Sequence, residues 1–118
     1  MRRVLHLSLA LALGALTMPD LTAQSPGDPI RYTLRFRAPQ THYVDVEAVV
    51  PTSGRPQVDL MMAVWTPGSY LVREYERHIE GLAATGAGGR PLAVSKPAKN
   101  RWHIDTGGVP SITVAYRV

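Results

Sequence analysis

The chain has 118 residues, no cysteine, and 13 Lys and Arg against 9 Asp and Glu, a formal charge of +4. That length allows at most one domain, and the absence of cysteine excludes a disulfide-stapled scaffold. The basic residues are interspersed with acids rather than run together, which argues against nucleic-acid binding.

Residues 1–23 read as a secretory signal peptide. Arg2 and Arg3 supply a positive start, residues 4–16 form an apolar run rich in Leu and Ala, and Thr22-Ala23 offers a small-residue cleavage site before Gln24. A membrane anchor is the competing reading, but an apolar run of about 13 residues falls short of the ~20 needed to cross a bilayer, so no stable span is expected. The expected location is therefore exported, periplasmic or extracellular. Without the leader about 95 residues remain, enough to bury roughly 60–65% of the unfolded surface. With no disulfide, such a small exported domain must rely on packing or on a partner domain.

Residues 24–29 form a linker of Ser, Pro and Gly without periodicity. Over 30–38, Ile30, Tyr32, Leu34, Phe36 and Ala38 alternate with Arg31, Thr33, Arg35 and Arg37, which predicts a strand with one buried face and a solvated arginine face. A second strand is predicted over 43–50, with Val44, Val46, Ala48 and Val50 on one side. Turn chemistry around Ser53-Gly54 leads to a third over 58–65. That strand becomes apolar on both faces toward Trp65, which predicts a central or covered position. Further strands are expected over 78–85 and 111–118, together with a hairpin whose arms are 92–96 and 101–106. The resulting fold class is all-β: an antiparallel sandwich or saddle-like sheet of about seven short strands with at most one short helical turn. No internal repeat is apparent. The last strand ends without a turn residue, so it is expected to lie at an edge or to lack its neighbour, with the domain incomplete at its C-terminus.

Between the third and fourth predicted strands lies the corner Trp65-Thr66-Pro67-Gly68-Ser69-Tyr70-Leu71-Val72-Arg73-Glu74-Tyr75-Glu76-Arg77-His78. Pro67-Gly68 predicts a type II turn, because Pro presets φ and Gly accepts positive φ at the next position. Ser69 is placed to cap a short helical turn. Tyr70, Arg73, Glu74, Tyr75 and Arg77 crowd hydrogen-bonding groups onto a loop, where scaffolds display recognition residues. The structural alternative is a corner held shut by ion pairs such as Arg73 with Glu76.

A catalytic centre is not encoded in these residues. Zinc hydrolysis needs two histidines one helical turn apart and a glutamate beside the metal-bound water, and no H-E-x-x-H string occurs. His42, His78 and His103 are scattered singly, and His78-Ile79-Glu80 lacks the cysteines of a deaminase site. A G-x-S-x-G nucleophile elbow and a phosphate-cradling G-x-x-x-x-G-K are both missing.

The segment WTPGSYLVREYERHIEG (65–81) resembles the N-terminal domain of the M61 metallopeptidases, the glycyl aminopeptidase family. Its companions THYVDVEAVVPTSG (41–54) and GRPLAVSKPAKNRWHID (89–105) share that resemblance. The likeness covers residues 30–118, and its most specific parts are PGSY-x-x-REY and the downstream KNRW. In that family the domain precedes a thermolysin-like catalytic domain and, commonly, a PDZ domain. The resemblance therefore implies an accessory domain separated from its peptidase, a fragment of a longer reading frame and inactive by itself. Zinc is expected only in the catalytic domain, with no cofactor in this chain. The implied partners are an M61-type catalytic domain and a peptide substrate with a free N-terminus, favouring N-terminal glycine. By the same resemblance Tyr70, Arg73, Glu74 and Tyr75 are the candidate substrate-binding residues, with Glu74 meeting the substrate amine, Arg73 holding Glu74 or a carbonyl, and the tyrosines lining the wall. The alternative is a free-standing secreted β-sandwich that binds a ligand through the same corner.

Overall fold

The computed structural model describes residues 27–118. The expected signal peptide and the first half of the linker lie outside the described residues, while residues 27–29 are exposed and carry no regular structure. Seven strands follow: Arg31–Arg35 (β1), Asp45–Pro51 (β2), Gln57–Met61 (β3), Glu80–Thr85 (β4), Val94–Ala98 (β5), Arg101–Asp105 (β6) and Ser111–Arg117 (β7). They form two antiparallel sheets, ordered β1-β2-β7-β4 and β3-β6-β5. Three single 3-10 turns, Pro39–Thr41, Tyr75–His78 and Ala87–Gly89, complete the described structure. The sequence reading allowed for one.

The core follows from period-2 alternation. In β2 every second side chain is buried, and Val46, Ala48 and Val50 pair across to Tyr116, Val114 and Ile112 of β7. Ala84 of β4 extends the Ala48–Val114 row. The opposing sheet contributes Val58, Ile104 and Val94 in one row, and Leu60 beside Trp102 in the next. Ile104, Ile112 and Val114 are almost wholly buried. Burial of such side chains contributes about 1.5–3 kcal/mol each.

Two chain crossings tie the sheets together, and they share one sequence pattern. Thr52-Ser53-Gly54-Arg55-Pro56 carries the chain from β2 to β3, and Thr106-Gly107-Gly108-Val109-Pro110 carries it from β6 to β7. Both threonines are fully buried. The Thr52 hydroxyl donates to the Val109 carbonyl, and the Thr106 hydroxyl donates to the Arg55 carbonyl. The Thr52 amide donates to Pro110 O at 2.9 Å, and the Thr106 amide to Pro56 O at 2.9 Å. Each hydroxyl also accepts from the glycine amide two residues on, at 3.2 Å for Gly54 and 3.1 Å for Gly108. Since β2 pairs with β7 and β3 with β6, the two arches clasp each other about a local pseudo-twofold axis. T-x-G-x-P is thus a short repeat that the sequence reading did not recognise.

Three expectations about strand environment need correction. The apolar side of β1 is not buried: Tyr32 is 62% exposed and Leu34 55%, and Ile30 and Phe36 are similarly open. Tyr32 and Leu34 do point to the inner face, opposite Ala48 and Val46. However, the three-stranded sheet is joined to the four-stranded one on the β4 side, through Leu92 N to Ala84 O at 2.9 Å, so β1 overhangs it. The third strand ends at Met61 rather than Trp65 and forms an edge of its sheet, leaving Met61 and Trp65 exposed instead of central or covered. The last strand is not an edge either; β7 lies between β2 and β4 and pairs with both.

Candidate functional site

The corner is a loop pinned at its base. As the chain leaves β3, Met62 N donates to Asn100 O at 2.9 Å, and Asn100 Nδ2 returns a bond to Met62 O at 3.0 Å. The turn between β5 and β6 thereby grips the entry to the loop. Arg73 N donates to Val64 O at 2.7 Å and closes the loop on itself. Inside it, Ser69 N reaches Thr66 O at 3.1 Å and Gly68 has φ +85°, the positive value a type II turn requires at that position. Ser69 is spent in this turn and caps nothing. The helical turn begins only at Tyr75, and Glu74, which precedes it, makes no side-chain capping bond.

The loop tip is open and apolar. Tyr70 is 92% exposed, and Leu71 and Val72 beside it are also exposed. Single exposed apolar residues are ordinary, but three in succession on a pinned loop form a projecting contact surface.

Tyr70, Arg73, Glu74 and Tyr75 are all exposed on this one corner, so the structure brings the predicted residues to the same surface. Their pairing differs from expectation. Arg73 forms no salt bridge with Glu74 or Glu76 among the described residues, whereas Glu74 Oε1 lies 3.2 Å from Lys99 Nζ. With both side chains well exposed, this pair contributes at most about 1 kcal/mol. Lys99 and Asn100 are the site residues that sequence reasoning missed; the KNRW segment was singled out, yet nothing linked it to the corner. Glu76 is the other departure. It is only 6% exposed, and its Oε2 has no hydrogen-bond partner.

Next to the corner a cleft of about 420 Å³ opens between the two edge strands β1 and β3. Tyr32, Met61, Met62, Ile79, Trp102 and Tyr116 line much of it. Burial pushes the Tyr116 phenol above its ordinary value, with the charge of Tyr32 as a second cause. Trp102 itself is buried, with the Lys96 ammonium 4.9 Å from its ring centre. Trp102 thus belongs to the core, while Trp65 stays at the surface.

Several other charged groups are paired locally. Arg35 meets Glu47 at 3.2 Å, and Asp45 is shared by Arg37 at 3.2 Å and Arg117 at 3.3 Å. His103 Nδ1 lies 2.7 Å from Asp59, on the outer face of the β3–β6 pair. Among the described residues no three His, Cys, Asp or Glu side chains gather as potential metal ligands. No helix among them is long and apolar enough to cross a membrane.

Residues 31–118 match the family described as the peptidase M61 N-terminal domain. Among solved structures, the chain is similar to a protein from Idiomarina loihiensis described as an aminopeptidase N family protein. The identity is 35% and the TM-score 0.58, and the match covers 65% of this chain and 13% of that one. The chain thus spans a small part of that protein's length. No curated protein matches the chain.

Proposed function

The chain belongs to the peptidase M61 N-terminal domain family, and on that premise we propose that it is the accessory β domain of an exported M61-type zinc aminopeptidase. In this reading it performs no chemistry itself. It docks the catalytic domain, which holds the zinc, and shapes the substrate cleft for a peptide with a free N-terminus. The leader-like residues 1–23 support export.

The observation that carries the proposal is the projecting tip Tyr70-Leu71-Val72 on a loop fixed by Asn100 and Val64. A rigidly held apolar tip gains by contact without a large ordering cost, which suits a wall placed against another domain or a bound peptide. Tyr70 and Tyr75 form that wall. Arg73 and Glu74 border it, with the Glu74 carboxylate oriented by Lys99.

The test uses a full-length peptidase that carries residues 31–118 as its N-terminal domain, with Tyr70→Ala and Leu71→Asp compared for glycyl-anilide hydrolysis. Each change is expected to raise KM about three- to tenfold, the loss of roughly 1 kcal/mol of binding, with a smaller effect on kcat. Unchanged KM and kcat in both variants would remove the corner from the cleft.

A further inference from the structure

We propose that the open edge of β3 is a docking site for one extended strand of a partner polypeptide, apolar at alternate positions and basic at the centre of its outward face. The two sheets meet at a seam between β4 and β5, where Leu92 N donates to Ala84 O at 2.9 Å. Away from that seam one sheet runs on through β7 and β2 to β1, and the other ends at β3 after β6. The first is one strand wider, so β1 has no strand opposite it. The vacancy is the width of a single strand and opens as the cleft of about 420 Å³ between β1 and β3.

The hydrogen-bond register defines what fits there. Thr106 N donates to Pro56 O and Met62 N to Asn100 O, each at 2.9 Å, so Val58 and Leu60, at the same spacing between them, turn their backbone groups toward β6. In an antiparallel strand the alternate residues turn theirs the other way. Gln57, Asp59 and Met61 therefore aim N–H and C=O groups out of the sheet, on the side where β3 pairs with no strand. Such an edge accepts an added strand through main-chain bonds, while alternate side chains of the newcomer find seats. Beside β3 it lies beneath β1, and its inner side chains meet Tyr32 and Leu34, which point inward yet are 62% and 55% exposed. Its outer side chains lie alongside Gln57, Asp59 and Met61. On that face two carboxylates, Asp59 and Asp105, flank the one His103 ring at 2.7 and 3.9 Å, so Lys or Arg is favoured directly opposite Asp59.

A second copy does not fill this place. Two β3 edges brought together antiparallel would carry β2 of the other copy into the position that β1 already holds. The inference goes beyond the accessory-domain reading and does not depend on it.

The experiment measures amide hydrogen exchange by NMR in the full chain, with an end-blocked synthetic peptide of about seven residues, a common strand length, as the probe. The peptide carries valine at its odd positions, with threonine and a central lysine between them. Exchange at Gln57, Asp59 and Met61 is expected to be fast in the free chain and to slow saturably, by at least about tenfold, with the peptide. Methylating the peptide nitrogens at the threonine and lysine positions, which face β3 in antiparallel pairing, should abolish the protection. Methylating the valine nitrogens should preserve it. Asp59→Pro removes an N–H that points out of the sheet, a change that an edge strand tolerates, and Leu34→Lys alters the seat of the inner side chains. Each is expected to weaken the peptide by about tenfold or more. Slow exchange of the three amides in the free chain, no saturable protection, or protection at Tyr32 and Leu34 in their place would overturn the proposal. Equal binding of the peptide methylated at threonine and lysine would do the same. So would protection of the β3 amides that rises with protein concentration alone, because it assigns the edge to a second copy. If Asp59→Pro does not fold, the methylated peptides still decide.

Discussion

Tyr116 joins a single ionisation to the stability of the whole sandwich. Desolvation in the cleft, and then the neighbouring Tyr32, raise its phenol above the ordinary value of 10.0. The folded chain thus holds this proton more tightly than the unfolded one. Its contribution is fully present below about pH 10 and is lost as pH rises through the folded value. The urea midpoint is expected to decline above about pH 10, and Tyr116→Phe should flatten that decline. Denaturation series from about pH 8 to about pH 11 on both proteins check it. At this scale the sequence was legible where chemistry is local. The Pro67-Gly68 turn needed only one positive φ, and Gly68 supplies it. Partnership was not legible: the residue that meets Glu74 is 25 positions away, and only the β5–β6 hairpin brings Lys99 there.

Among the elements, β2 and β1 carry the same alternating pattern and have opposite fates. β2 alternates between buried and half-buried, while β1 is exposed along its whole length. Alternation reports which side chains share a face, but whether that face is covered depends on the width of the opposing sheet. The T-x-G-x-P arches were missed for a related reason: each is five residues long, and their likeness becomes visible only when they bond to one another. Thr52→Val and Thr106→Val each remove a buried hydroxyl and leave a carbonyl and a glycine amide without it, at an expected cost of about 1–3 kcal/mol. Because both threonines act across one junction, the double variant should depart from additivity by at least about 0.5 kcal/mol in urea unfolding.

For the molecule as a whole, the overhang of β1 leaves Ile30, Tyr32, Leu34 and Phe36 as a continuous apolar strip on an edge strand. Such a strip on a sheet edge favours association. Leu34→Lys combined with Phe36→Lys is expected to reduce self-association in sedimentation at high protein concentration. The urea midpoint should move little, because both side chains are already more than half exposed. The all-β class and seven strands were readable from periodicity and turn chemistry, and the family from the corner motif. The order of strands within the two sheets was not, because it is set by pairings between distant segments.

Those distant pairings also govern when the chain can acquire its shape. The clasp joins Thr52 to Val109 and Thr106 to Arg55, separations of 57 and 51 residues. During synthesis β3 has no partner until β6 emerges, and β2 has only β1 until β7 follows. Closure of such long loops is slow, since their entropy is lost before the contacts form. The segment up to β3 therefore leaves the ribosome unable to lock, and stays open until β6 and β7 have been made.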